Sequence, residues 1–375
     1  MEKIEMVNLK QQYLKIKDEI NFEIDSVLES SQFIKGQKVS EFESQLGEYL
    51  NVKHVISCGN GTDALMISLM ALNLKPNDEV ICPSFSFISS AEVIALLGFR
   101  PVFVDVDYEN FNVTAQNIIQ AISNKTRAII PVHLFGQGAE MESIMEVASD
   151  YNLAVVEDNA QSLGAKYTFK DNTTKFLGTI GDIGCTSFFP TKNLACYGDG
   201  GAMFTNDDYL AERLRLIANH GMRQKYRNEC IGVNSRLDTL QAGVLKVKLK
   251  YLDKYIAERR KVAEFYNKEL EDIKQIIVPK QQCHSTHTYN QYTIKVLNGK
   301  RDNLKQYLSE NGVPSQVYYP IPLHKQQAFS SLARSGNEMT NAERLCGEVL
   351  SLPMHTELSL EQLQYIVSQI KTFFQ

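Results

Sequence analysis

The strongest constraint on the fold is the alternation of short β-rich runs with helical stretches between residues 54 and 205. Strands are predicted at His54–Cys58, Glu79–Cys82, Pro101–Asp105, Arg127–His133, Ala154–Glu157, Thr186–Phe189 and Ala202–Thr205. Helices are predicted at Asp63–Ala71, Ser90–Leu97, Ala115–Ile122 and Met141–Tyr151. This alternation predicts an α/β fold with a mostly parallel sheet. Such sheets bind ligands at the carboxyl ends of their strands, so the polar segments that follow the strands are where chemistry is expected.

The two ends of the chain carry different patterns. Apolar residues four apart predict helices over the first fifty residues, and residues 237–270 are predicted to form one long helix with a solvated lysine face in KVKLKYLDK. The elements predicted after Pro279 are a strand at Tyr289–Val296, a helix near Arg301–Asn311 and a last helix from Ser359. We therefore predict a large domain over residues 1–250, which includes the N-terminal helices, and a smaller C-terminal α/β domain over residues 251–375.

Composition excludes several classes of protein. The 39 Lys and Arg residues against 44 Asp and Glu give a net charge of −5, which offers no attraction to nucleic acid. No apolar run approaches the roughly 18 residues of a membrane span, and the first residues lack the pattern of a secretory signal. The seven cysteines form no CxxC pair, and His133, His220 and His324 lack metal-ligand spacing, so neither disulfides nor a metal are expected. We expect the chain to be cytoplasmic.

Gly61 and Thr62 follow the first predicted strand and open a helix. A glycine lets the backbone approach a ligand closely, and a hydroxyl with free N–H groups at a helix N-terminus forms an anion site that suits a phosphate. Ser187, at the end of a later strand, could bind the same phosphate. The segment matches neither the dinucleotide-binding GxGxxG pattern nor a P-loop, and the alternative is an ordinary helix cap.

Asp158 ends the apolar run that begins at Leu153. A carboxylate at the mouth of a parallel sheet is partly desolvated, so it needs a cationic partner or its pKa rises. The protonated ring nitrogen of a cofactor is one such partner, and Gln161, three residues on, could donate to an oxygen on that ring. The alternative is that Asp158 only caps a helix.

Lys192 lies between two predicted strands and follows Phe188 and Phe189. An amine in an apolar, water-poor pocket loses proton affinity and can attack a carbonyl, although most lysines simply lie on solvated faces. Lys192 belongs to an ordered set, because a phosphate cradle, an aromatic segment with Phe87 and the Asp158 carboxylate precede it. A pyridoxal phosphate site requires this set: a phosphate anchor, a ring stacker, a pyridinium partner and a Schiff-base lysine.

The motifs that resemble a known family are FIKGQKVSEFE, CGNGTDAL, PSFSFISSAE, FVDVD, PVHLFGQ, VVEDNAQSLGA, CTSFFPTKNLACYGDGGA, GVNSRLDTLQA and YYPIPLHKQ. From about residue 5 onward the sequence resembles the DegT/StrS-type sugar aminotransferases, which are fold type I pyridoxal phosphate enzymes with an aspartate aminotransferase-like fold. The resemblance implies a large domain with a mostly parallel sheet and a smaller C-terminal α/β domain. It also implies that the enzyme moves the amino group of L-glutamate onto a nucleotide-linked keto sugar.

The resemblance assigns roles at the cofactor site. Lys192 would form the Schiff base with pyridoxal 5'-phosphate (PLP) and Asp158 would pair with the ring nitrogen, so these two would be the catalytic residues. The residues that would bind the cofactor are Gly61, Thr62, Phe87, Asp158, Gln161, Ser187, Lys192 and Asn234. Asn234 would reach the cofactor phosphate of the neighbouring subunit, so the resemblance implies a homodimer with shared active sites.

The residues that would face the substrate are Ser31, Phe33, Thr191, Arg236, Tyr318 and Tyr319. The nearest motif matches imply a UDP-linked 2-acetamido 3-keto sugar, converted into an amino sugar for a surface polysaccharide such as the O-antigen of lipopolysaccharide. Enzymes for the 3-keto uronate tend to carry Gly at Ser31, Tyr at Phe33, Ser at Thr191 and His at Tyr318. The alternative substrate is therefore a 4-keto-6-deoxy UDP- or dTDP-sugar.

Three rival classes of protein remain. A PLP-dependent sugar dehydratase of the same fold carries histidine in place of the Schiff-base lysine, so Lys192 argues against it. A non-catalytic regulator would not need Lys192, Asp158 and a phosphate site together. A nicotinamide-dependent dehydrogenase would need the glycine fingerprint that the sequence lacks.

Overall fold

The structure is a computed structural model that describes residues 2–375. The helices in chain order are α1 (Leu9–Lys15), α2 (Lys17–Ser30), α3 (Gln37–Leu50), α4 (Gly61–Ala71), α5 (Ser89–Leu96), α6 (Ala115–Ala121), α7 (Met141–Tyr151), α8 (Asp208–Ile217), α9 (Thr239–Leu249), α10 (Leu252–Leu270), α11 (Arg301–Glu310), α12 (Thr340–Glu348) and α13 (Leu360–Phe374). The strands are β1 (His54–Cys58), β2 (Glu79–Pro83), β3 (Arg100–Val104), β4 (Thr126–Ile129), β5 (Ala154–Asp158), β6 (Lys166–Thr168), β7 (Thr174–Phe176), β8 (Ile183–Ser187), β9 (Gly201–Thr205), β10 (Met222–Gln224), β11 (Arg227–Asn228), β12 (Ile276–Ile277), β13 (Tyr292–Val296), β14 (Arg334–Ser335) and β15 (Val349–Leu352).

The central sheet confirms the predicted α/β fold. Its eight strands run in the order β1-β9-β8-β5-β4-β2-β3-β14. Neighbouring strands are parallel except where β9 pairs with β1 and with β8. Helices α4 to α7 connect successive parallel strands, as parallel pairing requires. The sheet is therefore mostly parallel, and the carboxyl ends of β1, β2, β5 and β8 meet at one edge.

Two predicted strand boundaries are wrong at this edge. The strand predicted at Arg127–His133 ends at Ile129, because Pro131 has no N–H with which to continue the ladder. The strand predicted at Thr186–Phe189 runs from Ile183 to Ser187, and the N–H of Phe188 instead donates to the Gly200 carbonyl at 2.8 Å. The loop that carries Lys192 therefore begins directly after Ser187.

The long helix predicted over residues 237–270 is two helices, α9 and α10, separated at Lys250 and Tyr251. The expected solvated lysine face is also wrong for α9, which packs against α2 and α3. Lys246 is buried and pairs with Glu41 and Glu23. Lys248 is 1% exposed, and its Nζ lies 4.4 Å from the centroid of the Tyr197 ring.

A second core lies away from the main sheet. The short sheet β12-β13-β15 packs with α10, α11 and α13, and Ile4 near the N-terminus joins the same buried cluster. The chain then returns to the main sheet, because Arg334 and Ser335 of β14 pair with Val102 and Phe103. Within residues 2–375, no helix combines the length and the apolar character that crossing a membrane requires.

Candidate active site

A cradle of backbone, made by the start of α4 and the end of β8, forms where β9 lies between β1 and β8. Gly201 of β9 pairs with Cys58 of β1 on one side and with Ser187 of β8 on the other. This register places the start of α4, three residues after Cys58, beside the end of β8. The predicted partners Gly61 and Ser187 therefore lie together, although 126 residues separate them in the sequence.

The cradle requires glycine at two positions. A Cβ on Gly61 would lie 2.7 Å from the Cβ of Ser187, and a Cβ on Gly201 would lie 2.5 Å from the backbone of Asn60. Real Cβ atoms do not approach other atoms that closely, so a side chain at either position would force the two segments apart. The requirement at Gly61 was expected from the sequence, whereas the requirement at Gly201 was not.

The helix cap at this point is Asn60, whose side-chain oxygen accepts the N–H of Asp63 at 2.8 Å. The side-chain cap of α4 therefore comes from Asn60, and not from Gly61 or Thr62. The Thr62 hydroxyl is 2.7 Å from that of Ser89, a buried residue at the start of α5 that the sequence analysis missed. The hydroxyl of Ser187 accepts the N–H of Phe189 at 3.2 Å and keeps its own proton available to a ligand.

Asp158 ends β5 at the same edge of the sheet and is 8% exposed. Burial raises the pKa of its carboxyl group, against the N–H of Ala160 and the positive charge of Lys192. The N–H of Ala160 donates to Oδ1 at 3.1 Å. A buried carboxylate with so few donors is stabilised by a cation placed against it, as a protonated pyridine nitrogen would be.

A buried histidine and glutamate support this end of β5. The N–H of Ala139 donates to Nδ1 of His133 at 3.2 Å, so the ring proton is on Nε2, which donates to Glu157 at 2.8 Å. Burial alone would raise the pKa of Glu157, but His133 and the N–H groups of Gly181 and Gly178 hold it below its ordinary value. The N–H of His133 donates to the Asp158 carbonyl at 3.0 Å, so this pair fixes the backbone from which Asp158 projects.

Lys192 follows β8 in a turn closed by its own N–H, which donates to the Phe189 carbonyl at 2.9 Å. The residue is half-buried, and burial lowers the pKa of its amine to about 8, against the attraction of Asp158. At neutral pH the amine therefore exists in part as the free base, the form that attacks a carbonyl. This environment is the opposite of the solvated surface that the alternative interpretation required.

Gln161 is held by the backbone on the far side of Asp158. The N–H of Phe135 donates to its Oε1 at 2.6 Å, which identifies that atom as the oxygen, and its Nε2 points to the Tyr319 hydroxyl at 3.3 Å. Phe87 is 56% exposed, and its ring centroid is 6.3 Å from that of Tyr319. Gln161, Tyr319 and Phe87 thus form one group, in which the exposed ring of Phe87 offers an aromatic face to a planar ligand.

Other predicted site residues lie apart from Lys192 in this chain. Asn234 is exposed, and Arg236 lines a cavity on the other side of the cradle. Ser31 and Phe33 lie on the exposed turn after α2, and the Phe33 carbonyl accepts the N–H of Thr239 at the start of α9. Within residues 2–375, no hydrogen bond links these four residues to Lys192 or Asp158.

The remaining two predicted substrate residues lie next to Lys192 and next to Tyr319. Thr191 is exposed and precedes Lys192. Tyr318 is half-buried, and its ring centroid lies 5.9 Å from that of Tyr319. Tyr318 is therefore adjacent to the group formed by Gln161, Tyr319 and Phe87.

The residues present fit PLP. The cradle, which has no room for a Cβ at Gly61 or Gly201, offers a phosphate the hydroxyls of Thr62 and Ser187 and the N–H groups at the start of α4. The buried Asp158 carboxylate suits a protonated ring nitrogen, the amine of Lys192 suits an aldehyde carbon, and Phe87 offers a face for a ring. These groups project from the ends of β1, β5 and β8, so the fold itself brings them together.

Comparisons with known proteins agree with this geometry. Residues 14–371 match the DegT/DnrJ/EryC1/StrS aminotransferase family. The chain is 44% identical to a pleiotropic regulatory protein of Geobacillus stearothermophilus, over 99% of this chain and 98% of that one. It is 43% identical to the UDP-2-acetamido-2-deoxy-3-oxo-D-glucuronate aminotransferase of Pseudomonas aeruginosa, over 98% of this chain and 99% of that one.

A solved structure extends the likeness to the whole fold. The structure of S. venezuelae DesV in complex with a ketimine intermediate superposes with a TM-score of 0.95 at 33% identity, and covers 100% of this chain and 99% of that one. With a family match across nearly the whole chain and a site that fits the cofactor, the protein belongs to the DegT/DnrJ/EryC1/StrS family and is a PLP-dependent aminotransferase.

Proposed function

We propose that this enzyme transfers the amino group of L-glutamate to the ketone of a UDP-linked 2-acetamido 3-keto sugar. The observation that carries the proposal is the half-buried amine of Lys192 beside the buried Asp158 carboxylate, next to the Gly61–Ser187 cradle. Bound PLP would supply an electron-accepting ring, on which an amino group can be exchanged between two carbonyl compounds. Everything else in the reaction depends on how this chain's residues hold the reactants and move protons.

Lys192 is the residue that moves protons in this proposal. Because the pKa of its amine is lowered to about 8, Nζ can accept a proton from the substrate carbon near neutral pH and return it to the same face. Asp158 holds the positive charge on the cofactor ring from the end of β5, and His133 and Glu157 hold that strand end in place. Gly61, Thr62 and Ser187 bind the phosphate, and Gln161 donates from Nε2.

The proposed substrate follows the Pseudomonas aeruginosa relative, whose name specifies a UDP-linked 3-oxo sugar. Tyr319 accepts a hydrogen bond from Gln161 and its ring lies beside that of Phe87, so it would lie near the reacting ring. Thr191, next to Lys192, and Tyr318, next to Tyr319, would contact the sugar. Phe33 and Tyr318 depart from the uronate enzymes, which keeps a 4-keto-6-deoxy sugar as the second candidate.

We also propose that the active enzyme is a homodimer. Large apolar side chains are exposed on α2 and on the turn after it, among them Phe22, Leu28 and Ile34. Asn234 is exposed, yet the next residue, Ser235, is fixed to the start of α4 by hydrogen bonds to Gly59 and Asp63. A second copy that covers the apolar surface would explain the exposure and could receive Asn234 at its cofactor phosphate.

The substrate is tested by running the reaction in reverse. Purified enzyme with excess 2-oxoglutarate receives the 3-amino and the 4-amino forms of a UDP-linked 2-acetamido sugar, and mass spectrometry follows the products. We expect turnover of the 3-amino sugar alone. Turnover of only the 4-amino sugar would select the second candidate, and turnover of neither would exclude both UDP-sugars.

The shared site is tested by mixing two inactive variants, Lys192→Ala and Asn234→Ala. In a mixed dimer one site would carry both substitutions and the other would carry neither, so part of the activity is expected to return. The control is each variant mixed with itself, with subunit exchange verified by mass spectrometry. If exchange occurs without recovery, each site is built within one chain.

A further inference from the structure

A cavity of about 260 Å³ lies beside the phosphate cradle, at the end of β1. Its lining includes Ser57 of β1, four residues before Gly61, and Ser235. The hydroxyl of Ser235 accepts the N–H of Gly59 at 2.8 Å and donates to Asp63 in the first turn of α4 at 2.6 Å. The wall of this cavity is thus fixed to the same turn of chain that forms the cradle.

Four charged side chains line the cavity, namely Lys35, Glu43, Arg215 and Arg236. Two of them are engaged by the fold. The N–H and hydroxyl of Ser57 donate to Oε1 of Glu43 at 2.9 and 2.8 Å, and Arg215 donates to Oε2 of Glu43 at 3.3 Å. The only carboxylate in the lining is therefore already bound to other donors.

Lys35 and Arg236 are the two charges that remain. Within residues 2–375, neither side chain forms a hydrogen bond or an ion pair. Lys35 is exposed where it lines the cavity, and partial burial together with the positive charge of Arg236 lowers its pKa. Two cations that face one cavity repel each other. An anion bound between them would attract both and so offset this repulsion.

The backbone holds both cations in place. The N–H of Thr239 donates to the Phe33 carbonyl at 3.0 Å, and the N–H of Gly36 donates to the Thr239 hydroxyl at 3.1 Å. Lys35 lies between these two anchor points, with a φ of 53° in the left-handed region. Arg236 stands three residues before Thr239, so one short stretch of chain positions both side chains.

We propose that Lys35 joins Arg236, which the family resemblance already implies as a substrate residue, in binding an anionic group of the sugar nucleotide, and that Lys35 helps to determine which substrate is accepted. The inference rests on the proposed function, because it takes the anion from that substrate. Two groups share the required chemistry: the carboxylate of a uronate sugar and the diphosphate that links sugar to nucleotide. Arg236 can offer two parallel N–H groups to either, and Lys35 adds a point charge.

The test measures binding, not turnover. Isothermal titration calorimetry on the cofactor-loaded enzyme gives dissociation constants for UDP, UDP-N-acetylglucosamine and its 6-carboxylate, the corresponding uronate. The variants are Lys35→Gln, which removes the charge, and Lys35→Arg, which keeps it. The control is Lys38→Gln at the start of α3, three residues after Lys35, because Lys38 is paired with Glu23 at 2.7 Å and does not line the cavity.

We expect Lys35→Gln to weaken binding by roughly fivefold to tenfold, while Lys35→Arg and Lys38→Gln stay within about twofold of wild type. A loss confined to the uronate would identify the anion as the carboxylate, and an equal loss for all three ligands would identify it as the diphosphate. Unchanged constants in Lys35→Gln, or an equal loss in Lys38→Gln, would overturn the inference.

Failure of the proposed function would look different. In that case the wild-type enzyme would bind none of the UDP compounds. Inorganic pyrophosphate then serves as the probe, since the cofactor already fills the phosphate cradle of the loaded enzyme. Pyrophosphate binding that weakens in Lys35→Gln would uphold the anion site without the UDP-sugar, and binding that does not depend on Lys35 would overturn it.

Discussion

The loop after β8 and the last turn of α9 each hold a lysine whose amine has a pKa lowered to about 8 by burial. In the loop, Lys192 faces the Asp158 carboxylate at the open edge of the sheet. In α9, Lys248 lies over the ring of Tyr197, and its Nζ has no hydrogen-bond partner within residues 2–375. A lowered pKa therefore indicates only that a lysine is buried. Lys192, the lysine that we propose is catalytic, differs from Lys248 in its access to a ligand and in its charged partner.

The largest expected difference between the two regions is in activity. Lys192→Ala should lower transamination by several orders of magnitude, because the same amine binds the cofactor and moves the proton. Lys248→Met should keep near wild-type turnover, since Lys248 does not reach the site. Steady-state rates with glutamate, together with the absorbance band of covalently bound cofactor, check both. The comparison fails if the two variants lose activity to a similar extent.

The carboxylate partner sharpens the comparison further. Asp158→Asn should retain the cofactor but slow the half-reaction with glutamate by roughly two orders of magnitude, the scale of one preorganised electrostatic contact. Stopped-flow absorbance measures this rate. The control is Asp253→Asn, since Asp253 lies in α10 and accepts a hydrogen bond from Tyr49. A trace for Asp158→Asn that matches wild type would remove Asp158 from the proposed mechanism.

The second difference is that the loop with Lys192 lies beside the cradle, where we propose that the phosphate of PLP binds. Gly61→Ala places a Cβ 2.7 Å from that of Ser187, so the two segments must separate, and the affinity for PLP should fall roughly tenfold. Gly347→Ala is the matched control, because a Cβ there meets no atom within 4 Å. Equilibrium dialysis of the apoenzyme with PLP measures both constants. Equal affinity in the two variants would mean that Gly61 does not hold the phosphate.

The smallest expected effect concerns stability around Lys248. Between pH 8 and 10.5 the unfolded chain holds a proton that folded Lys248 has released, so this residue makes the free energy of unfolding rise with pH across that window. Lys248→Met should remove this rise, and should be roughly 1–3 kcal/mol more stable than wild type below pH 8. Urea unfolding at several pH values measures the difference.

The control for the stability prediction is Lys250→Met. Lys250 is exposed and paired with Glu19 at 2.9 Å, so its loss should change stability by less than about 0.5 kcal/mol at every pH. If Lys248→Met and wild type keep a constant difference from pH 7 to 10.5, the amine of Lys248 is not the titrating group.

Sequence patterns predicted much of the Lys192 region because each of its parts lies at the end of a predicted strand. The ends of β1 and β5, and the placing of Lys192 after a strand, come directly from the alternation of β-rich runs and helices. The role of Gly201 could not be predicted in this way, since it depends on β9 lying between β1 and β8. Strand order in a sheet is a property of long-range packing, and local periodicity does not report it.

The region around Lys248 shows the opposite limit. Two lysines in α9, followed by Lys250 just after it, resemble a solvated face, but α2 and α3 cover that part of the helix and bury Lys246 and Lys248. Which face of a helix is covered depends on the elements packed against it. The periodicity of the sequence therefore does not predict that a charged side chain such as Lys248 will be buried. The predicted roles of Ser31, Phe33 and Asn234 cannot be seen in one chain either, because in our proposal these residues act at the active site of the second copy.

The antiparallel insertion of β9 also has a consequence for the order of folding. His54 of β1 pairs with Thr205 of β9, so this pairing must close a long loop of chain. Contacts of such sequence separation form slowly compared with local ones. The loop with Lys192 is tethered at both ends only once β9 has docked beside β8. We therefore expect the cofactor site to form late in folding, so that cofactor binding would indicate a completed sheet.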